Sequence, residues 1–206
     1  MKKTYFNNLG SERSVEVIFV EKMLKKYYKP GNIVIDIGGI PTNDLHLTNY
    51  FNYIKENKID YRISDFRGGH YPGDFVEYNF GDEKFDMGVF LSSLEHFPKC
   101  TESDSQWREG YDRKGYEKAL SILKDNGYIF LTVPFGKHRW QPNGFHQNYN
   151  WQGILNLTEG SKIIESHTYT LNEEDYEWVK TDPHSMEEVL YTDKAYGVGL
   201  FILQKT

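Results

Sequence analysis

The sequence lacks the features that mark secreted and membrane proteins. It contains one cysteine, Cys100, so no disulfide can form within the chain, which suits a reducing compartment. No apolar run is long enough to cross a bilayer. The start of the chain, Met1–Tyr5, leads into polar residues instead of the apolar core of a signal peptide. We therefore predict a cytoplasmic protein without a membrane partner.

Blocks of positive charge are also missing. The chain has 24 lysines and arginines against 30 acidic residues, a net charge of −6, and a surface of that sign is a poor partner for a nucleic-acid backbone. His138 and His146 lack the spacing to acidic residues that a zinc site needs. We predict no nucleic-acid partner and no metal.

The composition that is present belongs to a globular protein. Hydrophobic residues make up 38% and aromatic residues 16% of the 206 positions, which is unlike a disordered chain. This length fits one domain over residues 1–206, with a helical segment within residues 1–30.

The most informative stretch is Ile33–Gly39, where an apolar run is followed by an acid, Asp36, and then by Gly38 and Gly39. The apolar run fits a strand buried on both faces. The glycines let the backbone turn sharply and pass close to a ligand. A strand, a glycine turn and the start of a helix together indicate a nucleotide-type site, although such turns also serve simply to pack a helix onto a sheet.

Strands and helices alternate along most of the chain. Periodicity predicts helices over 12–28, 43–56 and 113–124, the last of them stopped by Asn126-Gly127. It predicts strands over 33–37, 61–64, 75–80, 85–91, 128–133, 162–169 and 197–204. This order indicates an α/β fold with a mostly parallel sheet, and the last two strands indicate an antiparallel edge.

Binding sites in such sheets collect where the strands end. The ends of four predicted strands are Asp36–Gly39, Asp65, Ser92–His96 and Pro134–Gly136. Asp65 suits an acceptor for both ribose hydroxyls, or else caps a helix or a turn.

In this order, the segments resemble the class I S-adenosylmethionine-dependent methyltransferases, most closely the small bacterial enzymes of glycan and small-molecule pathways. The resemblance runs from about residue 11 to the end of the chain. It rests on Ile33–Gly39, Asp65, Gly73-Asp74, Phe85-Asp86, Ser93-Leu94-Glu95-His96, Leu123–Gly127 and Thr132–Pro134. It implies a single Rossmann-like doubly wound sheet and S-adenosylmethionine as the cofactor.

The resemblance also implies roles for individual residues at the cofactor. Asp36, Gly38 and Gly39 would form the turn under its methionine part. The other implied contacts are Asp65 at the ribose, Phe66, Asp74 and Phe75 on the adenine side, Ser92 and Ser93 near the sulfonium, and Arg13 at the carboxylate.

Two departures from the family pattern bear on this site. Ile40 stands where the family usually has a third glycine. The connection between Asp65 and Asp74 is too short for a crossover helix with its loops. Either that helix is lost, or Tyr78-Asn79 supplies the adenine contact instead.

The acceptor side is expected at His96, Glu95 and the loops over 98–112 and 135–150. His96 is a candidate general base for a hydroxyl acceptor, or a residue that packs the turn. Glu95 is a structural acceptor or a contact to the amino end of the cofactor. The 135–150 loop fits a polar ring such as a sugar, or a surface loop pinned by its aromatics. Its candidate substrate-binding residues are His138, Arg139, His146, Gln147 and Tyr149.

We therefore predict methyl transfer to a small acceptor, an O-methylation of a sugar, a sugar nucleotide or another hydroxyl-bearing metabolite. The alternative is a non-catalytic domain that keeps the fold and binds the cofactor weakly or not at all. The acidic stretch Tyr169–Asp193 fits either an arm over the site or a contact in a homodimer, and the sequence leaves both open.

Overall fold

The computed structural model describes residues 11–39, 45–97, 108–140, 147–172, 174–187 and 197–206. Its helices are α1 (Arg13–Tyr27), α2 (Leu45–Glu56), α3 (Tyr111–Ile122), α4 (Trp151–Leu157) and α5 (Pro183–Met186). Its strands are β1 (Ile33–Ile37), β2 (Asp60–Asp65), β3 (Gly68–Gly69), β4 (Tyr71–Pro72), β5 (Phe85–Leu91), β6 (Leu123–Pro134), β7 (Arg139–Trp140), β8 (Gln147–Asn148), β9 (Ser161–Asn172), β10 (Glu177–Lys180) and β11 (Gly197–Lys205).

Eight of these strands form one sheet in the order β10-β9-β11-β6-β5-β1-β2-β4. The five neighbouring strands β4, β2, β1, β5 and β6 pair in parallel. β11 runs antiparallel to both β6 and β9, and β10 adds a further antiparallel strand at the edge. The predicted mostly parallel sheet with an antiparallel edge is confirmed. Its order reverses between β1 and β5, which is where doubly wound sheets bind their ligands.

Apolar side chains cover both faces of the sheet. On one face α1 and α2 pack over β1, β5 and β6 through residues such as Val20, Tyr50 and Phe130. On the other, α3 and α4 cover the same strands through residues such as Tyr116, Ile154 and Leu131. Burial on both faces explains why β1 is a continuous apolar run, interrupted only by Asp36. No helix among the described residues is both long and apolar enough to cross a bilayer.

The strand predicted over residues 75–80 is wrong. Residues 75–77 form a turn, and residues 78–80 have no regular structure. The position beside β2 is already taken by the two-residue strand β4, whose Tyr71 pairs with Ser64. Phe75 and Phe80 resemble strand positions because both are buried anchors, with ring centroids 5.7 Å apart. The chain between β2 and β4 contains no helix, so the crossover helix is lost.

Two other boundaries differ from prediction. The helix expected over 113–124 runs from Tyr111 to Ile122, and Asn126-Gly127 lies within the range of β6, where the register with β5 is irregular. Asn126 has φ +60°, a backbone conformation uncommon for a residue other than glycine, and it lies within β6 instead of ending the helix. Helix α4 and the β7–β8 ribbon lie where no regular element is predicted.

Candidate functional site

The turn after β1 depends on glycine at position 38. Gly38 has φ +85°, and its amide donates to the Ser64 carbonyl at 2.7 Å, which extends the pairing with β2. A Cβ at this position would lie 2.5 Å from Cβ of Ser93. Both the backbone conformation and the close approach of β5 therefore exclude a side chain here.

Asp36 is the buried acid under this turn. Its carboxylate accepts a hydrogen bond from Tyr61, whose hydroxyl lies 2.9 Å from that of Tyr50. Its Oδ1 has no hydrogen-bond partner among the described residues. Burial raises the pKa of Asp36 to about 7; nearby Asp65 adds to the rise, while Tyr61 and Arg13 oppose it. An incomplete hydrogen-bond set on a buried carboxyl marks a place where a ligand can supply the missing partner.

Asp65 closes β2 beside the same turn. It is largely buried, and its Oδ1 accepts the amide of Arg67 at 2.8 Å. The next residue, Phe66, leaves 53% of its surface exposed. A buried carboxylate and an exposed ring therefore follow one another at this strand end, and the ribose role of Asp65 and the adenine role of Phe66 stay predictions.

The end of β5 is held by hydrogen bonds to both neighbouring strands. Ser92 has φ +43°, and its amide donates to Oγ1 of Thr132 on β6 at 2.9 Å. The hydroxyl of Ser93 donates to the carbonyl of Ile37 on β1. These contacts bring Ser92 and Ser93 beside Gly38, at the edge of the sheet where the strand order reverses. We call the space outside this edge the crevice.

Glu16 completes this arrangement, although the sequence analysis does not single it out. It is fully buried on α1 and accepts the hydroxyl of Ser92. Nη1 of Arg13 lies 2.9 Å from Oε2 of Glu16 and 2.9 Å from the carbonyl oxygen of Leu91. Burial opposes the charge of Arg13, but Glu16, Glu12 and Glu95 together raise its pKa. The helical i,i+3 spacing of Arg13 and Glu16 predicts the pair, but not its contact with β5.

Glu95 and His96 follow in a 3-10 turn over Leu94–His96. Oε1 of Glu95 lies 3.8 Å from Nε2 of His96, and its Oε2 has no hydrogen-bond partner among the described residues. Burial raises the pKa of Glu95 well above its usual range, and the charge of Glu16 adds to this. Since the side chain of His96 is 31% exposed, it is the member of this pair that solvent reaches.

Asp74 and Phe75 are engaged by the protein itself. Oδ2 of Asp74 accepts the hydroxyl of Tyr111 at 2.7 Å and Nη1 of Arg108 at 3.0 Å. Phe75 is buried in the core, 6.4 Å from the ring of Phe90. Their predicted adenine-side role stays a prediction, and these contacts give both residues a structural one.

The predicted substrate-side loop lies beyond the end of β6. Tyr149 bridges to Phe135 and donates its hydroxyl to Oδ2 of Asp112 at 2.8 Å. Burial raises the pKa of Tyr149, and the carboxylate of Asp112 raises it further. His138 is exposed, with its ring 5.8 Å from that of Tyr149.

Some of the other residues predicted to contact the acceptor lie in the β7–β8 ribbon. One of them lies outside the described residues. Gln147 is half-buried and pairs with Trp140, and Arg139 pairs with Asn148. His146 lies outside the described residues, as do Ile40 and Cys100.

The ends of β1, β2 and β5 therefore bring one set of predicted residues to a common crevice. The set is Asp36, Gly38, Gly39, Asp65, Ser92 and Ser93, with Arg13, Glu95 and His96 alongside. Acidic groups outnumber the single arginine in it, a balance that favours a cationic ligand.

Comparison with known proteins supports the fold. No protein-family model matches the sequence, and no curated protein matches it significantly. The solved CcbJ methyltransferase of Streptomyces caelestis aligns over 96% of this chain and 97% of its own, with a TM-score of 0.58 and 8% identity. The N-methyltransferase NodS of Bradyrhizobium japonicum, solved with S-adenosyl-L-homocysteine, aligns over 94% and 87%, with a TM-score of 0.56 and 12% identity.

An S-adenosylmethionine-dependent methyltransferase of Archaeoglobus fulgidus aligns over 98% of this chain and 100% of its own, with a TM-score of 0.55 and 16% identity. At such identities the likeness concerns the fold alone. Together with the strand order, these matches identify the fold as that of the class I S-adenosylmethionine-dependent methyltransferases.

Proposed function

We propose that the protein is an S-adenosylmethionine-dependent methyltransferase that methylates a hydroxyl of a small acceptor, a sugar or a related metabolite. The observation that carries this proposal is the crevice at the sheet reversal. There a side-chain-free turn at Gly38 and Gly39 covers Asp36, which has an unpartnered carboxylate oxygen, and Asp65 lies at the neighbouring strand end.

The residues of this crevice fit the cofactor chemically. Its methionine part is cationic at the sulfonium and the amine, and buried carboxylates such as Asp36 stabilise cations. Asp65 provides an acceptor for ribose hydroxyls, and the exposed ring of Phe66 provides a stacking face for adenine. Arg13 already bonds to Glu16 and Leu91, so we assign it to holding the end of β5 rather than to the cofactor carboxylate.

When bound, the cofactor supplies an activated methyl group, and the protein has to align the acceptor oxygen and exclude water. The end of β5 is suited to alignment, because Ser92 and Ser93 are each tied to a neighbouring element. In this proposal His96, whose side chain solvent reaches, accepts the proton that the acceptor hydroxyl loses. Four other predictions from the sequence stay predictions. They are a single domain over residues 1–206, a cytoplasmic location, a homodimer contact and the absence of a metal.

Calorimetric titration tests the cofactor. We expect S-adenosylmethionine and S-adenosylhomocysteine to bind with micromolar affinity, and NAD not to bind. Asp65→Asn should weaken adenosyl binding by roughly 10- to 100-fold, since hydrogen bonds to a charged group contribute about 1.5–3 kcal/mol. Asp60→Asn is the matched control, because Asp60 begins the same strand and pairs with Arg62 away from the crevice.

Equal affinities for the wild type and Asp65→Asn would refute the ribose role. Absence of any adenosyl binding by the folded wild type would favour the alternative, a non-catalytic domain that retains the fold.

A second prediction concerns His96 as the base that removes the proton of the acceptor hydroxyl. With an acceptor found by screening sugar nucleotides and small hydroxy compounds, His96→Gln should lower kcat by about 100-fold, the usual contribution of a general base. Affinity for S-adenosylhomocysteine should stay unchanged, and the rate of the variant should rise with pH as hydroxide replaces the base. Unchanged turnover would leave His96 with a packing role only.

A further inference from the structure

The side-chain amide of Asn148 is buried and makes no hydrogen bond within the part of the chain that the structure describes. It lies in β8, its side chain is fully buried, and neither Oδ1 nor Nδ2 has a partner among the described residues. Nearly all buried amides in folded proteins are bonded. An unbonded buried amide destabilises the free protein, and groups that carry such a cost are concentrated at functional sites.

The position of Asn148 places it beside the crevice. The amide of the next residue, Tyr149, donates to the carbonyl of Pro134, and Tyr149 bridges to Phe135 at the end of β6. β8 also packs against the turn that carries Glu95. Glu95 contributes the other buried oxygen without a partner in this region, its Oε2.

We propose that Asn148 and Glu95 form the acceptor subsite, and that they select a neutral polyol, such as a sugar ring with adjacent hydroxyls. This inference rests on the proposed methyltransferase function. An amide offers a donor and an acceptor together, which matches a hydroxyl group, itself both donor and acceptor. The buried carboxyl group of Glu95 offers hydrogen-bonding partners to further hydroxyl groups, but neither residue offers the positive charge that a buried phosphate or carboxylate on the acceptor would need. Because both groups are covered in the free chain, binding requires the packing around β8 to open.

Asn148→Leu separates this role from a structural one, since leucine has the same branching without the polar atoms. Removing an unbonded buried amide should raise the Tm of the free protein by roughly 2–8 °C. The variant should bind S-adenosylhomocysteine like the wild type. With that compound saturating, the wild type should be stabilised by glucose, galactose or myo-inositol in a thermal-shift assay, and the variant should not.

Asn150→Leu is the matched control. Its Oδ1 accepts the amide of Gly153 at 2.8 Å and caps α4, so this variant should lower Tm while polyol binding persists. Asn148→Asp is a second variant that keeps the shape but replaces the amide by a second carboxyl group near Glu95, and it should also lose the polyol shift.

Each result decides a different point. A fall in Tm for Asn148→Leu would show that the amide is bonded and structural, and would overturn the proposal. So would a rise in Tm with polyol binding intact, or a wild type that binds S-adenosylhomocysteine but none of the three polyols. Failure of the wild type to bind S-adenosylhomocysteine at all would instead overturn the proposed function on which the inference rests.

Discussion

Gly39→Ala is expected to destabilise the protein by about 3 kcal/mol and to abolish cofactor binding, because there is no room for the added methyl group. A Cβ on Gly39 would lie 1.8 Å from Oδ2 and 2.2 Å from Cγ of Asp36. Asp36 is buried at the end of a central strand, so neither group can move aside without displacing the turn. Urea denaturation and calorimetry of the variant measure the two effects.

A control and a rescue make this prediction specific. Gly68→Ala should be close to neutral, since a Cβ there meets nothing within 4 Å. Asp36→Ala removes the three atoms nearest to the new methyl group, which are Oδ2, Cγ and Oδ1 of Asp36. The double variant Gly39→Ala/Asp36→Ala should therefore regain much of the stability that Gly39→Ala loses. A double-mutant cycle measures this regain as a coupling free energy between the two substitutions. Additive effects would show that Asp36 is not the obstacle.

The second large effect is a dependence of stability on pH that originates at Asp36. Its pKa is raised to about 7 in the folded protein, from an ordinary value of 3.8, chiefly by burial. The folded state therefore binds this proton more tightly than the unfolded state. Between about pH 4 and pH 7 stability should fall as pH rises, by on the order of 4 kcal/mol from this group, and stay level above pH 7.

Asp36→Asn removes the titration while retaining an acceptor for Tyr61. Urea midpoints of the wild type and the variant, measured from pH 5 to pH 8.5, should diverge as pH rises, with the variant the more stable at pH 8. Glu95, whose pKa is also raised by burial, titrates in both proteins and cancels from the difference. Parallel curves would show that Asp36 stays ionised in the folded state.

The strand-and-turn part of the site could be predicted from local sequence. The apolar run before Asp36 fits a strand buried on both faces, and Gly38 occupies a positive φ that other residues rarely adopt. The ends of β1, β2 and β5 then meet because parallel strands end on the same edge of a sheet. Asp36, Asp65 and Ser93 therefore come together without further information.

Predictions of secondary structure failed where a pattern of apolar and polar residues had a cause other than the predicted element. Apolar residues begin and end the stretch from Phe75 to Phe80, as in a short strand, but both are anchors of an irregular connection, and the two-residue strand β4 already occupies the sheet position. Asn126-Gly127 does not end helix α3 as predicted, because the helix stops at Ile122 and the pair lies within β6. Short-range patterns report burial, and burial alone does not distinguish a strand from a packed loop.

The sequence by itself determined the α/β class, the turn at Gly38-Gly39 and the acidic strand ends, since these depend on backbone conformation and on periodicity within a few residues. Only the tertiary structure decided which polar groups are satisfied. The side chain of Glu16 bonds to Ser92, and that of Tyr149 bonds to Asp112. The side chain of Asn148 has no hydrogen-bond partner among the residues that the structure describes. Those outcomes depend on contacts between distant segments, whose geometry is set by strand order and helix packing and leaves no trace in local sequence.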